Sequence, residues 1–113
     1  MNIFVVATKD LKEPLYNPQR AFLSEITAYK WAKKYDKGIV FPFDVPDSWE
    51  EKIFSENKVP AIYFALWSPT SGGMTFFPDS IAYTREEVMK YISLLPQAIR
   101  NRSASFGLVV DKQ

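Results

Sequence analysis

The chain predicts an α+β domain: a mostly antiparallel sheet of about four to five strands, with two main helices packed mainly on one face. Three observations lead there. Short runs rich in Val, Ile, Phe and Tyr recur along the chain, two segments carry the i, i+3, i+4 apolar spacing of an amphipathic helix, and Pro, Gly and Asn punctuate the intervals between them. At 113 residues, with 47% apolar and 24% charged side chains, the chain is large enough for one unstapled core, so residues 1–113 are read as a single domain.

Residues 3–7, Ile-Phe-Val-Val-Ala, suit a strand buried on both faces, and the charged, proline-containing stretch 8–19 ends it. Residues 20–23 are read as a short second strand. Ser24 is a candidate N-cap for a helix to about Tyr35, where Asp36-Lys37-Gly38 supplies the stop. Within that helix Ala28, Trp31, Ala32 and Tyr35 form the apolar stripe, and Lys30, Lys33, Lys34 and Lys37 repeat the spacing on the other side.

Residues 39–43 read as an edge strand, because Pro42 cannot donate to a ladder. A short helix is expected over 46–57, where Ser48-Trp49-Glu50-Glu51 has the capping-box pattern. Residues 61–67 are apolar on both alternating faces and are read as the centre of the sheet. The turn residues 68–73 should return the chain as an antiparallel strand over 74–77. A second capping box, Thr84-Arg85-Glu86-Glu87, opens a helix with Val88, Tyr91, Ile92, Leu95 and Ile99 on one face, kinked or stopped at Pro96; residues 106–110 then make a last, edge strand.

Composition excludes several chemistries. With no His and no Cys, the chain has no thiolate nucleophile, no Ser-His or Cys-His pair, no disulfide and no Cys/His zinc site. No catalytic residue, metal site or cofactor is assigned. There is no signal-peptide pattern and no apolar run of membrane-spanning length, so a cytoplasmic protein with no membrane partner is expected. The net charge of +1 is uneven: residues 1–38 carry seven basic and four acidic groups, residues 39–84 two and six. Neither a DNA mimic nor a protein held to nucleic acid by bulk charge fits this balance.

Four surface features remain. Eighteen aromatic residues exceed what a two-layer core of this size easily hides, and Phe41, Phe43, Trp67, Phe76 and Phe77 lie beside prolines at strand ends, where exposed rings dock a partner. The lysine face of the first helix, with Arg100 and Arg102 after the last one, presents positive charge to phosphates or an acidic protein. The acidic residues Asp44, Asp47, Glu50, Glu51 and Glu56 follow no calcium-loop spacing. Pro46-Asp47 with Glu56-Asn57-Lys58 is similar to the Pro-Asp…Glu-x-Lys pattern of a nuclease family, but that family places the residues on adjacent strands, and here a helix is expected between them. Helix capping and a solvated surface account for the segment. The 68–73 loop lacks the Gly-Lys-Ser/Thr ending of a phosphate-binding loop and reads as a hairpin.

The function expected from these features is a non-enzymatic protein-binding module, a small stoichiometric inhibitor or regulator of phage or mobile-element type. Its partner is another protein, and edge strands allow a homodimer. The alternative is a nucleic-acid-binding accessory protein using Lys30, Lys33, Lys34, Lys37, Arg100 and Arg102. An enzyme working through carboxylates, lysine and tyrosine is the third reading.

Overall fold

A computed structural model describes residues 1–9, 15–55, 58–70 and 72–113. The strands are β1 (Asn2–Lys9), β2 (Tyr16–Phe22), β3 (Gly38–Asp44), β4 (Ala61–Thr70), β5 (Gly73–Phe76) and β6 (Ser103–Asp111). The helices are α1 (Glu25–Ala32), α2 (Trp49–Ile53), α3 (Arg85–Ser93) and α4 (Gln97–Arg100), with a 3-10 turn at Pro78–Ser80. All six strands join one sheet in the order β3-β1-β2-β6-β4-β5, antiparallel everywhere except between β2 and β6.

The sheet curls so that its two halves face each other. Ile3, Val5, Ala7 and Ala21 from one half meet Ile62, Phe64, Leu66, Phe76, Leu108 and Val110 from the other, with Val45 and Ile53 joining from the α2 segment. On the outer surface α1 sets Ala28 and Ala32 against Phe4, Val6 and Phe22, whereas α3 sets Val88 and Ile92 against Ala65 and Ala82. The two main helices therefore share the outer face, each covering one half. This doubling of layers explains the aromatic content. Four rings are buried, thirteen are half-buried and only Tyr29 is exposed.

Local chemistry sets the boundaries. The Ser24 hydroxyl accepts from the Thr27 N–H (3.2 Å), and Thr84 accepts from the Glu87 N–H (3.3 Å), satisfying free donors at the starts of α1 and α3. Ser48 makes no such bond: its backbone is already helical, and the turn begins earlier, with Trp49 and Glu50 donating to Pro46 and Asp47. Helix α1 stops three residues before the expected Tyr35. Lys34 and Tyr35 donate to carbonyls three residues back, Lys37 takes a left-handed φ of 58°, and Gly38 passes so close to the Ala32 carbonyl that a Cβ would lie 2.1 Å from it. Pro96 ends α3 as expected and a separate short α4 follows.

Two sheet assignments need correction. Strand β6 is internal, between β2 and β4, because the C-terminal segment fills the place where the sheet curls. Strand β4 is accordingly one place from the β5 edge rather than at the centre. The β2 strand is also longer than its sequence suggests, since a bulge opposite Val6 and Ala7 accommodates Pro18 and the extra residue Gln19. Strand β3 is an edge. Met1 and Val45 bond to each other and Lys9 donates to Lys37, so the odd-numbered β3 residues face β1 and Gly38, Val40, Pro42 and Asp44 face outward. Pro42 thus costs no ladder bond and leaves a missing donor in the middle of the free edge.

Candidate docking surface

Helix α1 is eight residues long, and its geometry is set by Ala28 and Ala32, whose small side chains let it sit close on β1 and β2. The residues opposite them repeat at i, i+3, i+4 and i+7: Ile26, Tyr29, Lys30 and Lys33. Ile26 is 69% exposed and Tyr29 is 52% exposed, beside two exposed ammonium groups with no carboxylate within 4.0 Å among the described residues. Ile26 and Tyr29 belong to neither row picked out in the sequence, the Ala28–Tyr35 apolar stripe or the lysines, and so were not singled out there. The signal was the same 3.6-residue period read for the apolar side, where an isoleucine and a tyrosine occupy positions a solvated helix gives to polar groups.

The four lysines are not one face. Lys30 and Lys33 belong to the stripe, but the chain leaves the helix after Ala32, so Lys34 turns back over the Trp31 ring (4.1 Å to its centroid) and Lys37 belongs to the turn into β3. Arg20, from the adjacent strand, covers the same ring at 3.8 Å, and Trp31 stacks on Phe22 with 6.2 Å between centroids. An indole with two cations above it is a local positive centre beside the helix. Arg100 and Arg102 are elsewhere: α4 packs on β4 and β6, and the Arg100 guanidinium donates to the Ser93 carbonyl (3.3 Å) at the end of α3.

The five proline-flanked aromatics fall on opposite faces of the sheet, so they make no common surface. Phe41, Phe43 and Phe76 point inward. Tyr16, Phe41, Phe76, Phe64 and Phe43 form a continuous row of ring contacts, with successive centroids 5.2, 5.3, 5.1 and 5.4 Å apart. Phe76 is buried and unavailable to a partner. Trp67 and Phe77 lie on the outer side, stacked at 6.0 Å and continued by Tyr91 at 5.9 Å. Each ring satisfies its apolar faces largely with other rings, because the curled sheet supplies a thicker interior than a flat two-layer domain.

Of the acidic segment, Asp47 accepts from the Met1 α-ammonium at 2.6 Å, with Asp44 at 3.9 Å. This hydrogen bond lowers the Asp47 pKa and raises that of the amine. Glu56 and Asn57 lie outside the described residues. Among the described residues no three Asp or Glu side chains converge as metal ligands would. The 68–73 connection is shorter than read, since β4 runs on to Thr70; Ser71 lies outside the described residues.

Clefts open on both halves of the sheet, one near the end of α1 and one on the α3 side. The first, of about 450 Å³, lies where β2 and β6 part, between Arg20 and Tyr35 on one wall and Gly107, Val109 and Asp111 on the other. The second, of about 500 Å³, lies under α3 among Trp49, Ile81, Tyr83, Tyr91 and the 86% exposed Leu94. There burial, reinforced by Asp79, raises the Tyr91 pKa. No helix is long and apolar enough to cross a membrane among the described residues. No protein-family model matches the chain, and neither a curated protein nor a solved structure matches it.

Proposed function

We propose that the protein is a non-enzymatic protein-binding module, in the manner of a small stoichiometric inhibitor or regulator, and that it docks an acidic partner surface through the outward stripe of α1. The observation that carries this reading is the placement of Tyr29. Seventeen of eighteen aromatic side chains are covered at least in part, and the remaining one stands in a helical row with exposed Ile26 and two lysines without a close carboxylate among the described residues. An apolar centre rimmed by charge is the composition of a hot spot, where the ring supplies contact area at low entropic cost and the rim supplies steering.

A second reading takes the same charges toward nucleic acid. Lys30, Lys33, Lys34 and Lys37 are all exposed near one end of α1, although Arg100 and Arg102 are on the other half of the sheet. Ile26 distinguishes the two, because an exposed aliphatic residue is suited to a protein surface and not to a phosphate backbone.

Site-specific photo-crosslinking separates them. A benzoylphenylalanine introduced at Tyr29 or Ile26, in the cells that make the protein, should capture a protein of defined mass, and the adduct should disappear when Lys30 and Lys33 become glutamate. The same probe at Val59, 66% exposed outside α1, serves as the control. Equal capture from Val59, or no adduct from α1, sinks the docking reading. A nucleic-acid adduct establishes the second reading.

A further inference from the structure

Strand β6 carries a sheet edge inside the sheet. Val110 donates to Pro60 at 2.9 Å and Ser68 donates to Arg102 at 3.0 Å, which fixes the even-numbered β6 residues as the ones bonded to β4. The backbone groups of Ser105, Gly107, Val109 and Asp111 therefore point toward β2. Only the last of these meet it, for the parallel pairing consists of Ala21↔Val110 and Phe22↔Asp111, closed by the Leu23 N–H donating to the Asp111 carbonyl at 3.0 Å. Before Ala21 the strands part. The bulge at Gln19 bends β2 away, and the Tyr16 N–H is drawn to the Thr75 hydroxyl of β5 at 3.2 Å. The backbone groups of Gly107 and the amide of Val109 are left facing the 450 Å³ groove, and Ser105 before them has no β2 residue paired with it among the described residues.

The walls of this groove specify what fits. Val109 is 58% exposed in it, a large apolar side chain open to the groove between the buried Leu108 and Val110. Arg20 forms the opposite wall, held flat on Trp31 with Lys34 nearby, and no carboxylate lies within 4.0 Å of it among the described residues. Gly107 lies under the Tyr63 ring, where a Cβ would approach to 3.0 Å, so the floor is kept low at its centre. A row of alternating donors and acceptors is matched by an extended chain and by little else. On the footing of the protein-binding reading above, we propose that the seam between β2 and β6 accepts an extended segment of the partner as an added strand beside residues 105–109, with an aliphatic side chain against Val109 and an Asp or Glu against Arg20. The seam adjoins the end of α1 through Tyr35, so one partner can engage both.

The test uses a phage-displayed library of random octapeptides selected on the whole protein, with amide hydrogen exchange followed by NMR. In the free protein the Gly107 amide should exchange much faster than those of Phe106 and Leu108, which face β4. Enriched peptides should alternate aliphatic and acidic residues, slow exchange at Gly107 and Val109 by about tenfold or more, and lose about tenfold in affinity on Arg20→Glu. Arg20→Gln, which keeps the stem on Trp31, should lose less. Failure to enrich any peptide, or peptides that leave those amides unchanged, overturns the seam proposal. Peptides that depend on Tyr29 but not on Arg20 overturn it while leaving the α1 reading standing; protected seam amides without any crosslink from α1 do the reverse.

Discussion

The Arg20 guanidinium lies 3.8 Å above the centre of the Trp31 ring, and this contact joins the helix that carries the docking stripe to the strand that opens the seam. Trp31→Ala removes that platform, the stack on Phe22 and the support for Lys34. It should cost about 2–3 kcal/mol in urea unfolding, less than a fully buried tryptophan because the ring is half-buried. Tyr29→Ala and the Lys30→Glu/Lys33→Glu pair should change stability by less than about 0.5 kcal/mol, as exposed side chains without partners do. A large destabilisation from the surface variants would place them in the fold instead.

The turn after α1 yields two changes of opposite sign. Lys37→Gly relieves the left-handed backbone and should stabilise by about 0.5–1 kcal/mol, even though it deletes a lysine of the basic segment. Gly38→Ala places a methyl group against the Ala32 carbonyl and should destabilise by about 2 kcal/mol or more. Thermal midpoints moving the same way for both would contradict the geometry given for the end of α1.

Ser80 is the one buried polar residue among those described, at 3% exposure. Its hydroxyl donates to the Phe77 carbonyl at 2.6 Å and accepts from the Ala65 N–H at 2.7 Å, so it ties the 3-10 turn to β4. Ser80→Ala leaves the Ala65 donor without its partner and should cost about 1–3 kcal/mol. An unchanged unfolding midpoint would show that the turn is held by packing alone.

Stability should fall at both ends of the pH scale through a single exposed pair. The Met1 amine has its pKa raised above the ordinary 8.0, mainly by its hydrogen bond to Asp47, so its contribution is complete below that value and vanishes as pH rises through the raised one. Asp47 is lowered from 3.8, mainly by the same bond, so its contribution is present above 3.8 and vanishes as pH falls through the lowered value. Asp47→Asn should flatten both limbs in denaturant midpoints measured across this range. Limbs identical to those of the unmodified chain would assign the pH dependence to other groups.

How much of this was legible in the sequence depends on the range of the interaction. Ser24 and Thr84 announced their helices because a cap acts within three residues, and the buried faces of α1 and α3 followed from Ala28, Ala32, Val88 and Ile92 at helical spacing. Pro42 marked an edge because a missing donor is local chemistry. The insertion of β6 between β2 and β4 was hidden, since Ala21 and Val110 pair across almost the whole chain and nothing in either strand names its partner. That hidden pairing also misdirected the aromatics. Phe76 and Phe77 point to opposite faces because successive residues of extended backbone alternate, but only the curl of the sheet gives the one a core row to join and leaves the other to Trp67 and Tyr91. Tyr29 and Ile26 were readable, by asking which apolar residues fell outside the stripe.

Calorimetric titration of the protein captured from Tyr29 is the most direct measurement. The unmodified chain, Tyr29→Ala, Lys30→Glu/Lys33→Glu and Met89→Ala, a half-exposed position on α3, should be compared at about 50 and about 300 mM salt. Docking through α1 predicts at least about tenfold weaker binding for the first two variants, less than about twofold for Met89→Ala, and a salt dependence that shrinks when the lysines are reversed. Binding by both α1 variants as tight as that of the unmodified chain would contradict it.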